Sequence, residues 1–230
     1  TDACMEGLQV LSEKYQVPVQ SHLSEGLDEI EWVKQLKPGL SCYGEAYDMY
    51  DLLGSKQPAV MAHVVHPNEA EYELIKHRNV LVAHCPQSNT NAANGVAPIL
   101  QMVHDGIRVG LGTDMAGGYN LNLLRTMTDA IQSSKLRWCF TERNGDPFAK
   151  KNFLTVANAF YLATKGGGSF FGKVGSFEPD YEFDAVVLDD AALADFVERP
   201  VQDRFQRILW LYTADTVTAK FIQGTCVYQA

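Results

Sequence analysis

Three histidines and one aspartate stand at the ends of apolar runs in this chain. The runs are Val17-Pro18-Val19-Gln20-Ser21-His22, Ala59-Val60-Met61-Ala62-His63, Val80-Leu81-Val82-Ala83-His84 and Ile107-Arg108-Val109-Gly110-Leu111-Gly112-Thr113-Asp114. Imidazole nitrogen and carboxylate oxygen are the donors that hold a hydrolytic zinc ion, which lowers the pKa of its water to ~7. His22 and Asp114 supply one donor of each kind. In His22-Leu23-Ser24-Glu25 a carboxylate follows three residues after the first histidine, where the chain turns toward a helix. It can reach the same cavity without binding the metal, as a general acid must. A single histidine at a strand end is ordinarily a structural residue. Four titratable groups in succession, each at the same end of its strand, point to an active site.

Apolar runs of this length, separated by helix-length stretches, read as buried parallel strands in a βα repeat, and barrel enzymes place their chemistry at the C-terminal ends of such strands. Helical spacing predicts helices over residues 2–15, 27–36, around 48–53, from Glu69 through Ile75, around 98–104, over 121–140 and over 155–164. Cys85 to Gly95, rich in Asn, Gln, Ser and Ala, is expected to be a loop over the site. Gly166-Gly167-Gly168 lacks the ending of a phosphate loop and is expected to close a helix and turn. From residue 173 onward the runs 183–188, 217–222 and 225–228 read as strands of a separate small β unit, with a helix over 201–212 between them. The expected organisation is therefore α/β, with residues 1–172 as part of a catalytic barrel and 173–230 contributing to a small β domain. An eight-stranded barrel needs ~250 residues and eight βα units. Only four such units are visible, so the expectation is the C-terminal half of a (β/α)8 barrel.

Composition removes several function classes. At 230 residues with 46% hydrophobic side chains the chain can bury a core, and its net charge of -9 disfavours nucleic acid, which is bound through clustered Lys and Arg. No apolar run approaches the ~18 residues of a membrane span. Five widely spaced cysteines with no Cys-x-x-Cys pair read as reduced thiols, which favours the cytoplasm. The absent pair also excludes the zinc deaminases built on Pro-Cys-x-x-Cys. No Gly-x-Ser-x-Gly elbow, Walker loop or dinucleotide fingerprint is present.

Ser21-His22-Leu23-Ser24-Glu25, Met61-Ala62-His63, Ala83-His84-Cys85-Pro86-Gln87-Ser88-Asn89 and Gly110-Leu111-Gly112-Thr113-Asp114-Met115-Ala116-Gly117-Gly118 together resemble the amidohydrolase superfamily of metal-dependent hydrolases. Within it, the segment Gly112 to Asn120 is most similar to the guanine deaminases. The resemblance implies one zinc held by His22 and Asp114 together with two histidines of an HxH motif, a motif this sequence does not contain. It implies that Asp114 takes a proton from the attacking water, that Glu25 protonates a ring nitrogen of guanine and helps expel ammonia, and that His63 orients the water. It further implies a purine-binding set of His22, Glu25, His84, Asn89 and Asp114, an Arg-Phe pair for guanine that lies outside this sequence, xanthine as product, and a homodimer. Two other readings stay open at the level of sequence. One is an amidohydrolase deaminase acting on another purine, a pyrimidine or a triazine; the other is a non-catalytic fragment that keeps the ancestral site.

Overall fold

The computed structural model describes residues 1–230, the side chain of Ala214 excepted. Four strands, β1 (Val19–Leu23), β2 (Ala59–His63), β3 (Leu81–His84) and β4 (Arg108–Leu111), form one parallel sheet in the order β1-β2-β3-β4. The helices that connect and follow them are α1 (Asp2–Tyr15), α2 (Leu27–Leu36), α3 (Glu45–Asp48), α4 (Glu69–His77), α5 (Pro86–Asn91), α6 (Ile99–His104), α7 (Leu123–Arg137), α8 (Val156–Tyr161) and α9 (Val201–Leu211). A second sheet is antiparallel, in the order β5 (Ala185–Leu188), β6 (Val217–Ile222) and β7 (Thr225–Gln229).

The central strands are apolar because both of their faces are covered. Met61 and Val82 pack with Ile75 of α4, Met102 of α6 and Met127 of α7 in one cluster, and Leu209 of α9 joins it. Parallel pairing places the C-terminal ends of all four strands on one edge of the sheet, with Leu23 opposite His63 and His84 opposite Leu111. His22, His63 and His84 therefore arrive at the same edge as the loop that carries Asp114.

Local chemistry accounts for the helix limits. Thr1 caps α1, Asn68 caps α4 by accepting from the Glu71 N–H, and Asn122 caps α7 by accepting from the Leu124 N–H. The sequence places helix over 48–53, whereas α3 covers Glu45–Asp48 and then breaks into turns. Asp51 and Gly54 there hold left-handed backbone, at φ 56° and 98°, which a helix cannot continue through.

Two further expectations are corrected. Part of the 85–95 segment is helical: α5 starts with Pro86, and Pro86, Gln87, Ser88 and Asn89 are buried. A polar helix tolerates this because its hydroxyls bond locally, Ser88 Oγ to the Cys85 carbonyl at 3.2 Å and Thr90 Oγ1 to the Pro86 carbonyl at 2.8 Å. The triple glycine does not close a helix either, since α8 runs on through a π-helical turn at Leu162–Gly166 and Gly167 keeps helical dihedrals. These glycines serve close packing instead. A Cβ on Gly110 of β4 would sit 2.7 Å from Gly167 Cα, and one on Gly166 would sit 2.6 Å from the Val109 carbonyl oxygen. The helix expected over 121–140 begins at Leu123 and passes into a π-helical turn at Trp138–Glu142.

Candidate active site

The turns that leave β1 and β2 are joined by backbone hydrogen bonds. The Val64 N–H donates to the Leu23 carbonyl at 2.9 Å, and the Val65 and His66 N–H groups donate to the Ser24 carbonyl at 3.0 and 3.1 Å. Holding this shape requires positive φ at Ser24 (47°), His63 (74°), Val64 (47°) and Asp114 (50°). Left-handed backbone is costly for residues with a Cβ, and most costly for a β-branched residue such as Val64. Four such residues lie at the C-terminal ends of β1, β2 and β4, where strained backbone aims side chains rather than merely connecting elements.

His63 is the centre of the group and is 1% exposed. Its ring stacks on that of His22 with centroids 5.3 Å apart and an interplanar angle of 19°. Its Nδ1 lies 2.9 Å from Asn89 Oδ1, and its Nε2 lies 3.3 Å from Glu25 Oε2. The other Glu25 oxygen, Oε1, accepts from Asn94 Nδ2 at 2.9 Å. Glu25 remains partly open to solvent and His22 is exposed, so the group has one face toward water.

Asp114 is brought to the same sheet edge by a glycine loop. The Gly118 N–H donates to the Asp114 carbonyl, and Asn91 Nδ2 donates to the Gly117 carbonyl at 2.8 Å. A Cβ on Gly117 would meet Asp114 Oδ2 at 2.6 Å, and one on Gly118 would meet the Thr113 carbonyl oxygen at 2.0 Å. Gln87 fastens the far end of this loop, accepting from the Asn120 N–H at 3.2 Å and donating to Asp129 Oδ2 at 2.7 Å. Among the described residues no hydrogen bond or ion pair joins Asp114 to His22 or Glu25. Burial first, then the charge of Asp114 and, less, that of Glu25 push the Cys85 thiol up to about 12. A thiol in that state is not a nucleophile.

His84 sits beneath this layer, 1% exposed. Burial, with His63 nearby as a lesser cause, pushes its pKa down to about 3, so the ring is neutral. Its Nδ1, His63 Nε2 and Asn89 Nδ2 are buried polar atoms without a hydrogen-bond partner in the protein. Buried polar atoms are nearly always partnered, so these three are free to take a polar ligand or water.

The structure thus gathers His22, Glu25, His63 and Asn89 into one set of contacts, sets His84 below it and brings Asp114 to the same edge. It adds residues that sequence reasoning did not single out. Glu71, 1% exposed on α4, accepts from Ser24 Oγ at 2.6 Å and from the Gly44 N–H at 2.9 Å, and burial pushes its carboxyl upward. Asn94 reaches Glu25 from 69 positions along the chain. Neither has a sequence signature, since one lies in Glu69-Ala70-Glu71, which reads as an exposed helical turn, and the other in a polar loop.

The amidohydrolase family model matches residues 1–209. The chain belongs to that family. Among curated amidohydrolase relatives, it is 34% identical to the guanine deaminase of Dictyostelium discoideum over 97% of this chain and 49% of the relative. It is 35% identical to the probable guanine deaminase of Schizosaccharomyces pombe, over 94% of this chain and 40% of the relative. The crystal structure of guanine deaminase from C. acetobutylicum with guanine bound in the active site superposes with a TM-score of 0.90 at 41% identity, covering 99% of this chain and 52% of that one. This amidohydrolase chain spans about half the length of the relatives it matches. Its α/β architecture with a parallel sheet is that of its barrel-type neighbours.

His22 and Asp114 have the donor atoms that zinc prefers, and the unpartnered Nε2 of His63, whose ring stacks on His22, suits a polar ligand. Among the described residues no group of three or more His, Cys, Asp or Glu side chains is arranged to hold a metal ion. By donor type His22 and Asp114 suit zinc, and a zinc site would need further ligands beside these two.

Proposed function

We propose that this chain carries the acid–base half of a guanine deaminase active site, for the hydrolysis of guanine and water to xanthine and ammonia. The observation that supports this most strongly is the 41% identity over 99% of the chain to a guanine deaminase with guanine bound. The local geometry agrees with it, because Glu25 stands free of strong cationic partners and faces His63 at 3.3 Å.

His22 and Asp114 would hold the zinc, with two further ligands from residues outside this sequence. When bound, the metal supplies Lewis-acid activation of water at neutral pH. The chain's own groups do the rest. Asp114 accepts a proton from the attacking water as its oxygen bonds to the amine-bearing ring carbon. Glu25 delivers a proton to the adjacent ring nitrogen, and a proton returned to the amine lets it depart as ammonia. His63, held at Nδ1 by Asn89, orients the attacking oxygen through Nε2. His22, His84, Asn89 and the two carboxylates line the purine pocket, with His84 contributing as a neutral ring.

In this reading residues 1–172 form the catalytic portion, 173–230 contribute to a small β unit, and the protein works as a cytoplasmic homodimer. All five cysteines are free thiols, which accords with a reducing compartment. Among the described residues no helix is long and apolar enough to cross a membrane. The test is a substrate panel with the zinc-loaded protein: guanine, adenine, cytosine and a triazine amine, with ammonia release as the common readout. Preferential release from guanine supports the assignment. Preferential release from another amine moves the chain to a different deaminase of the same family.

A further inference from the structure

We propose that Asn94 is a positioning residue that fixes the Glu25 carboxylate in the orientation needed for proton transfer to the purine ring. The proposal rests on the deaminase reading above and adds a residue to it. Asn94 Nδ2 donates to Glu25 Oε1 at 2.9 Å, while Glu25 Oε2 faces His63 Nε2 at 3.3 Å. Asn94 supplies the one side-chain hydrogen bond to this carboxylate, and it leaves Oε2 turned toward His63.

The Asn94 backbone is held from two directions. Its backbone N–H donates to the Asn89 carbonyl at 2.9 Å, and its backbone carbonyl meets His66 Nε2. Asn89 in turn contacts His63 Nδ1 at 2.9 Å. Glu25, Asn94, Asn89 and His63 therefore form a closed ring of contacts that joins the ends of β1 and β2 to α5. A Cβ on Gly26 would lie 2.5 Å from Asp28 Oδ1 and 3.3 Å from Asn94 Oδ1, so the bare backbone there leaves space for both side chains.

The chemistry of the side chain suits the task. A carboxamide donates a hydrogen bond but neither carries charge nor takes up a proton near neutral pH. It can orient a carboxylate that must gain and lose a proton without becoming the proton's destination. A lysine or arginine in its place would hold Glu25 as the anion by charge.

The experiment compares wild type, Asn94→Ala and Asn94→Asp in steady-state turnover of guanine by the zinc-loaded protein, with a crystal structure of Asn94→Ala alongside. Loss of a hydrogen bond to a charged group predicts that Asn94→Ala lowers kcat about tenfold with KM changed less than about twofold. The midpoint of unfolding stays at the wild-type value. Asn94→Asp, which sets a second negative charge against Glu25, falls further. In the Asn94→Ala crystal the Glu25 carboxylate leaves its place beside His63. Unchanged kcat, or a fall in kcat matched by a lower unfolding midpoint, overturns the proposal. If wild type supplied with all of its zinc ligands does not turn over guanine, the deaminase reading fails on its own, and the crystal still decides: a displaced carboxylate supports the positioning role and an unmoved one overturns it.

Discussion

Glu25 Oε2 lies 3.3 Å from Nε2 of the buried His63; Glu25 sits in the turn two residues past β1, and β1 pairs in register with the strand that ends at His63, Leu23 opposite His63. A one-residue slip between β1 and β2 would turn the Glu25 turn away from the imidazole, so strand register and acid–base chemistry are coupled here. Glu25→Gln keeps the shape and the Asn94 contact but cannot carry the proton. General acid–base catalysis contributes about 10²- to 10⁴-fold, and a fall in kcat of that order is expected with an unfolding midpoint close to wild type. Steady-state kinetics beside thermal unfolding checks it.

Glu71 should make stability depend on pH. Burial raises its folded-state pKa above the ordinary carboxylate value, so the folded state holds the proton more tightly than the unfolded state does. Its contribution is therefore fully present below the unfolded pKa and is lost as pH rises through the folded one. Glu71→Gln still accepts from the Gly44 N–H, and the Ser24 hydroxyl can turn to accept from the new amide. The variant should show a flatter stability profile above the usual carboxylate range and equal or greater stability at neutral pH. Urea unfolding across pH 4 to 8 tests this, and a variant that loses stability in parallel with wild type contradicts it.

The loop after Asp114 tolerates no side chain at Gly118, where a Cβ would stand 2.0 Å from the Thr113 carbonyl oxygen. Gly118→Ala must shift the backbone that carries Asp114. Overpacking of this kind costs about 1–3 kcal/mol, and zinc affinity should fall with it. Calorimetric zinc titration of the purified variant provides the measurement; wild-type affinity would show that the loop does not place the ligand.

The strand framework was legible because β1 to β4 are short apolar runs, each ended by a polar group, and such runs have few alternatives in a chain of this composition. His22, Glu25, His63 and Asp114 stood out for a related reason: each lies at or just beyond the C-terminal end of an apolar run. The helix α5 was not legible, since Pro86-Gln87-Ser88-Asn89 reads as loop by composition. Its burial depends on satisfaction by Asp129, Asn120 and His63, residues distant in sequence. Glu71 was hidden for a related reason, because its donors come from the turns that follow β1 and precede α3. The triple glycine resembled a helix stop in one dimension. Its role in close contact with β4 exists only in three.

The central claim is that Asp114 and the Glu25–His63 pair serve the hydrolysis of guanine. The most direct test follows xanthine and ammonia from guanine with zinc-loaded wild type and with Asp114→Ala. The account predicts equimolar xanthine and ammonia from wild type and loss of both in the variant, with the fold retained by circular dichroism. No xanthine from folded wild type that has its complete set of zinc ligands, or undiminished turnover in Asp114→Ala, would contradict it.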